Sequence, residues 1–262
     1  YDWGRDELAR RLASAYVREV GRAAIDLYGG RLRVSPKTLA ATVTEATSED
    51  RAASQVLAEP LRILVVGQVN AGKSSLVNAL SEEIQAAVDV LPTTPGYVAY
   101  ELKREGSPEA LLIDAPGLSA DAAALLELME EVEESDLILW VSSATRPDRG
   151  MDRNALDALR DRLVARLERR EPPILVVLTH IDQLRPPQEW SPPYDLLDKE
   201  NAKAVSISEA ARVVAAELGA SVQSVVPVCL DDKRGHYNVD VLWAKMLDVM
   251  PEAQGARLVR VL

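Results

Sequence analysis

The apolar positions of this chain fall into two kinds of run. Short unbroken runs, Ile63-Leu64-Val65-Val66, Ala110-Leu111-Leu112-Ile113, Leu137-Ile138-Leu139-Trp140-Val141 and Ile174-Leu175-Val176-Val177-Leu178, have the length and β-branched content of strands buried on both faces. Tyr97-Val98-Ala99-Tyr100-Glu101-Leu102 alternates as a strand, and Ser224-Val225-Val226-Pro227-Val228-Cys229-Leu230 approaches a final one. Between these runs, apolar residues recur at helical spacing after residue 73 and over 120–134, 151–169, 207–218 (closed by Gly219) and 239–250. Residues 83–96 lack a period and read as a loop, and Pro186-Pro187 through Pro192-Pro193 mark an insertion that cannot form regular helix. Strands alternating with helices predict an α/β fold of three layers, a mainly parallel sheet covered on both faces, with ligand loops at the carboxyl ends of the strands.

Ahead of this pattern, Leu8, Leu12, Ala15, Val20, Ala24 and Leu27 predict a helix ending at Gly29-Gly30, and Ser35-Pro36 starts a second one. The expected division is an N-terminal helical hairpin over 1–58, a nucleotide-binding domain over 59–250 and a C-terminal tail over 251–262. Shielding part of the sheet is the simpler role for the hairpin; a partner-binding or membrane-adjacent arm is the other.

Candidate chemistry begins where the first strand ends. Gly67-Gln68-Val69-Asn70-Ala71-Gly72-Lys73-Ser74-Ser75 has the glycine, lysine and hydroxyl spacing of a phosphate-binding P-loop between a strand and a helix. Gly67 and Gly72 permit close backbone approach, backbone N–H groups from Val69 to Ser75 can cradle phosphates, Lys73 supplies a compact cation, and Ser74 can ligate Mg²⁺. Asp114-Ala115-Pro116-Gly117 follows another strand, where Asp114 can hold a metal-bound water and Gly117 can offer its N–H to a γ-phosphate. Asp182, in Thr179-His180-Ile181-Asp182, can accept from the N1–H and exocyclic amine of guanine, a donor pair that adenine lacks. Thr179 would tie this loop to the P-loop. His180 reads equally as a cover for the base or ribose and as a surface histidine without a role. Cys229 and Leu230 stand where a backbone N–H would meet guanine O6.

Charge and composition narrow the partners. The net charge is −11, which opposes direct, non-specific binding to nucleic acid or an anionic membrane. Residues 1–40 are locally basic, with eight Lys/Arg against five Asp/Glu. Phe is absent and aromatics make up only 4%, so the core must be aliphatic and no stacking platform for single strands is visible. The single cysteine excludes an intrachain disulfide and fits a reducing cytosol. The chain begins at Tyr1 and ends in the apolar-basic pattern Leu258-Val259-Arg260-Val261-Leu262, which suggests a piece of a longer protein. The expected location is cytoplasmic, peripheral to or tethered at an inner membrane through segments outside this chain.

Taken together, the P-loop, Asp114-x-x-Gly117 and Thr179-His180-x-Asp182 resemble the phosphate, metal and guanine motifs of regulatory GTPases. Asn70 through Leu76, Asn-Ala-Gly-Lys-Ser-Ser-Leu, is similar to the bacterial Era/TrmE/EngB branch, including ribosome-binding and membrane-associated members. The resemblance implies a G domain binding GTP and GDP with Mg²⁺, catalytic roles for Asn70, Lys73, Thr94 and Gly117, and Ser74, Thr94 and Asp114 at the metal. Thr93 competes with Thr94 as the switch threonine. The usual Asn-Lys-x-Asp has become Thr179-His180-Ile181-Asp182, and the usual Ser-Ala-Lys has become Cys229-Leu230-Asp231. Many GTPases place a water-orienting Gln after the glycine of the metal motif, where this chain has Leu118. The resemblance therefore implies slow intrinsic turnover, stimulated by K⁺ held with help from Asn70, by homodimerisation, or by a partner on a ribosome or membrane.

Overall fold

The computed structural model describes residues 60–84, 87–91, 96–103, 110–119, 121–164 and 171–261. The expected N-terminal hairpin and both switch-threonine candidates, Thr93 and Thr94, lie outside these residues.

Seven strands form one sheet in the order β2-β3-β4-β1-β5-β6-β7. They are β1 (Leu61–Gly67), β2 (Ala87–Leu91), β3 (Val98–Lys103), β4 (Ala110–Asp114), β5 (Leu137–Ser143), β6 (Ile174–Thr179) and β7 (Val225–Pro227). From β4 to β7 every pairing is parallel, while β3 runs antiparallel to both β4 and β2. The continuous apolar runs explain the central position of β1. With period two, Ile63 and Val65 face one core, and Leu64 and Val66 face the other.

The first core is closed by α1 (Lys73–Ile84), through Leu76 and Leu80, and by α5 (Val239–Val261), through Leu242 and Met246. The second is closed by α2 (Ala122–Glu134), α3 (Gly150–Val164) and α4 (Ala202–Glu217), through Val132, Leu156 and Val214. Each fully buried aliphatic side chain contributes about 1.5–3 kcal/mol, so the aliphatic composition suffices for this sandwich. The consequence for function is geometric. Gly67, Asp114 and Thr179, the last residues of β1, β4 and β6, come out on one edge of the sheet.

Three elements differ from the sequence reading. Residues 87–91, read as loop, form β2; Asp89 interrupts its apolar pattern, and its register comes from β3. The helix expected from 207 starts at Ala202, because the Asn201 side chain accepts from the Ala204 N–H at 3.0 Å and caps it there. The helix expected to run to 169 is described to Val164, and the rest of that expectation lies outside the described residues. The last helix does not stop at Met250 but continues through Pro251 to Val261.

Candidate functional site

The P-loop is shaped by one close approach, two positive φ angles and two backbone hydrogen bonds. A Cβ at Gly67 would collide with the Val141 carbonyl of β5, so only glycine can end β1 there. Asn70 has φ 62° and Gly72 φ 97°, which turns successive amides toward the start of α1. Asparagine is one of the few residues with a side chain that takes this conformation readily, so Asn70 has a backbone reason to be present apart from any ion. Ala71 N–H donates to Gln68 O at 3.2 Å and Leu76 N–H to Gly72 O at 2.9 Å, closing the loop onto the helix.

Lys73 is buried, and its Nζ donates to Gly67 O at 3.1 Å and Gln68 O at 3.2 Å. Burial lowers its pKa, while Asp114 and Asp152 oppose that shift. The ammonium is thus held at the loop by weak carbonyl acceptors that a phosphate oxygen would outcompete. Val69 and Asn70 beside it, and Ser74 and Ser75 on the first turn of α1, are exposed.

Ser74 Oγ donates to Asp114 Oδ2 at 2.9 Å, bringing together the two described residues expected at the metal. Burial raises the Asp114 pKa, against the hydrogen bond from Ser74 and the charge of Lys73. Its other oxygen, Oδ1, is buried without a hydrogen-bond partner. A hydroxyl and a carboxylate with an orphaned oxygen, at a helix N-terminus beside a phosphate loop, are the hard donors that Mg²⁺ takes.

After Asp114 the chain runs along the P-loop. Ala115 N–H donates to Val65 O at 3.1 Å, Leu118 N–H to Gly67 O at 3.0 Å, and Leu118 bridges Gln68 in parallel. Gly117 is pressed against Val69, leaving no room for a Cβ, which is why glycine stands there. Leu118 is buried in the core with Leu128 and Val66. Its side chain cannot orient a water at the site.

Thr179 joins the second loop to the first. Its Oγ1 donates to Ala71 O at 2.6 Å and lies 2.9 Å from His180 Nδ1. His180 takes φ 57° and sets its ring beside Gly72. The next residues form a short 3₁₀ turn, Ile181–Gln183, in which Asp182 is 2% exposed. Gly72, Ser75, Thr179, His180, Asp182 and Leu230, with Gln183 and Asp231, line one cleft of about 180 Å³. His180 therefore lines this cleft.

One expectation fails here. The Cys229 N–H does not face the cleft as a donor, because it donates to Tyr237 O at 3.1 Å while Tyr237 N–H returns a bond to Cys229 O at 3.0 Å. The Cys229 thiol is buried and its pKa is pushed up to about 11, chiefly by desolvation, so it is an inert core group. Of the pair, Leu230 alone lines the cleft.

Sequence reasoning also missed a polar network behind the P-loop. Gln68 Nε2 donates to Asp152 Oδ2 at 2.5 Å and Arg146 Nη1 to Gln68 Oε1 at 2.5 Å, while Trp140 Nε1 donates to Asp152 Oδ1 at 3.1 Å. Asp152 is 2% exposed. Its position in the first turn of a charged helix hid it, since such an acid ordinarily signals only the helix start.

A phosphate loop, a paired hydroxyl and carboxylate, and a second carboxylate-bearing loop on one sheet edge have the arrangement of the P-loop GTPase fold. Residues 62–180 match the family described as 50S ribosome-binding GTPase, and this segment is similar to bacterial G domains of the Era/TrmE type. The tRNA modification GTPase MnmE of Bordetella petrii is 32% identical over 138 residues, which are 50% of this chain and 28% of that protein. That of Bordetella avium is 33% identical over 135 residues, 49% of this chain and 28% of the relative. The matches thus span less than a third of those proteins. The crystal structure of Era with MgGDPNP and a fragment of 16S ribosomal RNA superimposes with a TM-score of 0.50 at 20% identity, covering 72% of this chain and 56% of that one. It supports the fold.

Proposed function

We propose that this chain is a Mg²⁺-dependent guanine-nucleotide switch with slow intrinsic turnover. The observation that carries the reading is the bond from Thr179 Oγ1 to Ala71 O, which sets Asp182 and the phosphate loop around one cleft. Lys73 and the loop amides would bind the phosphates, Ser74 and Asp114 would hold the metal, and Asp182 would accept the two guanine donors. Mg²⁺, when bound, supplies charge neutralisation on the β- and γ-phosphates. Gly117 offers its N–H to the γ-phosphate, and Thr94 completes the switch.

The slow rate follows from Leu118, which is packed in the core and leaves the attacking water without a side chain to orient it. Added positive charge then controls the rate. K⁺ bound with help from Asn70, homodimerisation or a partner each supplies it, at roughly 10³- to 10⁵-fold when the charge is an arginine. The names of its relatives, a tRNA modification GTPase and an Era bound to ribosomal RNA, favour an RNA- or ribosome-bearing effector over bare nucleic acid, given the −11 charge. The proposed location is the cytoplasm, peripheral to or tethered at a membrane.

The test is calorimetric titration with a GTP analogue, GDP and ATP in Mg²⁺, followed by turnover in K⁺ and in Na⁺ over a range of protein concentrations. Selective guanine binding with K⁺- or concentration-dependent turnover is expected. Guanine binding with no turnover under any condition would replace the switch with a nucleotide-binding scaffold, and equal binding of ATP would remove the guanine assignment.

A further inference from the structure

The loop that bears Asp182 lacks the lysine usual after its first residue, yet it is held by two cations from outside every motif. Lys203, fully buried on the first turn of α4, donates from Nζ to Asp182 O at 2.7 Å and to Leu184 O at 2.5 Å, with its ammonium 5.6 Å from the centre of the Trp190 ring. Arg234 comes from the loop after β7. Its Nε lies 3.6 Å from Asp182 Oδ2, and its Nη1 donates to Pro187 O at 3.0 Å and Asp182 O at 3.4 Å. The Asp182 side chain is 3% exposed and that of Arg234 35%, so the carboxylate is buried and its counter-ion reaches it from the surface.

The proline-rich insertion locks both cations. Trp190 Nε1 donates to Arg234 O at 3.3 Å, and the Trp190, Tyr194 and Tyr237 rings pack with centroids 5.5–6.0 Å apart. Tyr237 in turn holds Cys229 on both its backbone groups. A buried carboxylate reads a base only if it stays ionised and in one rotamer, and a planar guanidinium is the group that holds both.

We propose that Arg234 is a specificity-setting positioning residue: with Lys203 fixing the backbone, it orients the Asp182 carboxylate so that both oxygens face the two donors of guanine. This rests on the reading of Asp182 as the base acceptor. A single ammonium at position 234 cannot hold the carboxylate and the Pro187 carbonyl together as the fork does.

The experiment compares GDP with IDP, which lacks the exocyclic amine, by calorimetry on the full chain in Mg²⁺. The wild type is expected to prefer GDP by on the order of 10- to 100-fold, the worth of a hydrogen bond to a charged acceptor. Arg234→Ala is expected to lose on the order of tenfold of that preference, and Arg234→Lys a part of it. An unchanged ratio in Arg234→Ala, even if both nucleotides bind more weakly, would overturn the proposal, since general loosening weakens GDP and IDP alike. Should Arg234→Ala fail to fold, Arg234→Lys decides: reduced preference supports the clamp, full preference overturns it. A wild type that binds GDP and IDP equally would remove the reading of Asp182, a failure visible before any variant is made.

Discussion

The phosphate loop and the base loop lie against each other but are built in opposite ways. The phosphate loop is shaped by its own residues, with Gly67, Asn70 and Gly72 supplying the backbone angles and Lys73 folding back on Gly67 O and Gln68 O within six positions. The base loop is held from far along the chain, by Lys203 and Arg234 at separations of 21 and 52 residues from Asp182. A locally determined loop tolerates change in its surroundings, whereas a loop held at a distance passes every change in its supports to the ligand. That difference can be tested at several strengths.

The largest effect is expected at Lys73. Lys73→Ala removes the only side-chain cation of the P-loop, so single-turnover GTP hydrolysis should fall on the order of 10²- to 10³-fold. Thermal stability should barely move, because the ammonium binds only backbone carbonyls and its burial is itself unfavourable. A large drop in melting temperature would show that the loop depends on this side chain for its shape.

Asp182→Asn comes next. The amide keeps the shape but presents one donor where guanine also donates, so GTP affinity should fall on the order of 10- to 100-fold while xanthine nucleotide gains. Competition titration reads both. Unchanged GTP affinity would mean that the base is not read at Asp182, and the contrast between the two loops would lose its functional side.

These two positions were legible in the sequence because their chemistry needs specific residues at short spacing: two glycines, a lysine and a hydroxyl after a β-branched run, or an aspartate four residues into a loop. The central strands were legible for the same reason, since burial on both faces demands unbroken apolar runs such as 137–141. Edge strand β2 was not, because Asp89 breaks its alternation and only pairing with Glu101 and its neighbours on β3 makes it a strand. Lys203 was hidden differently. Four residues ahead of the helix start expected at 207, it belongs to no motif, and nothing local indicates that its ammonium turns inward to two carbonyls. The engaged Cys229 N–H depended on Tyr237, which meets it across a loop.

Leu118 tests where the border between local and distant support lies. Replacing it by Gln restores the residue type that many GTPases use, but the side chain is 8% exposed and packs with Leu128 and Val66. Leu118→Gln should therefore leave turnover unimproved and bury an unpaired amide at about 1–3 kcal/mol, lowering the melting temperature by ~2–4 °C per kcal/mol. Faster hydrolysis would show that this segment swings out when nucleotide binds.

The smallest effect concerns a distant support behind the phosphate loop, at Gln68. Asp152 accepts from Gln68 and from Trp140, and burial raises its pKa despite those hydrogen bonds and the nearby Arg149 and Arg146 charges. A carboxyl whose folded pKa exceeds its unfolded value binds more protons in the native state between the two values. The contribution of Asp152 to stability is thus greatest below the unfolded carboxylate value and declines as pH rises through the folded one. Thermal melts of the nucleotide-free protein should show this decline, and Asp152→Asn, which cannot titrate, should flatten it whatever its effect on the absolute melting temperature. The local loop would then carry one pH-sensitive tether at Gln68; an identical profile in the variant would leave the phosphate loop as self-sufficient as its sequence suggests.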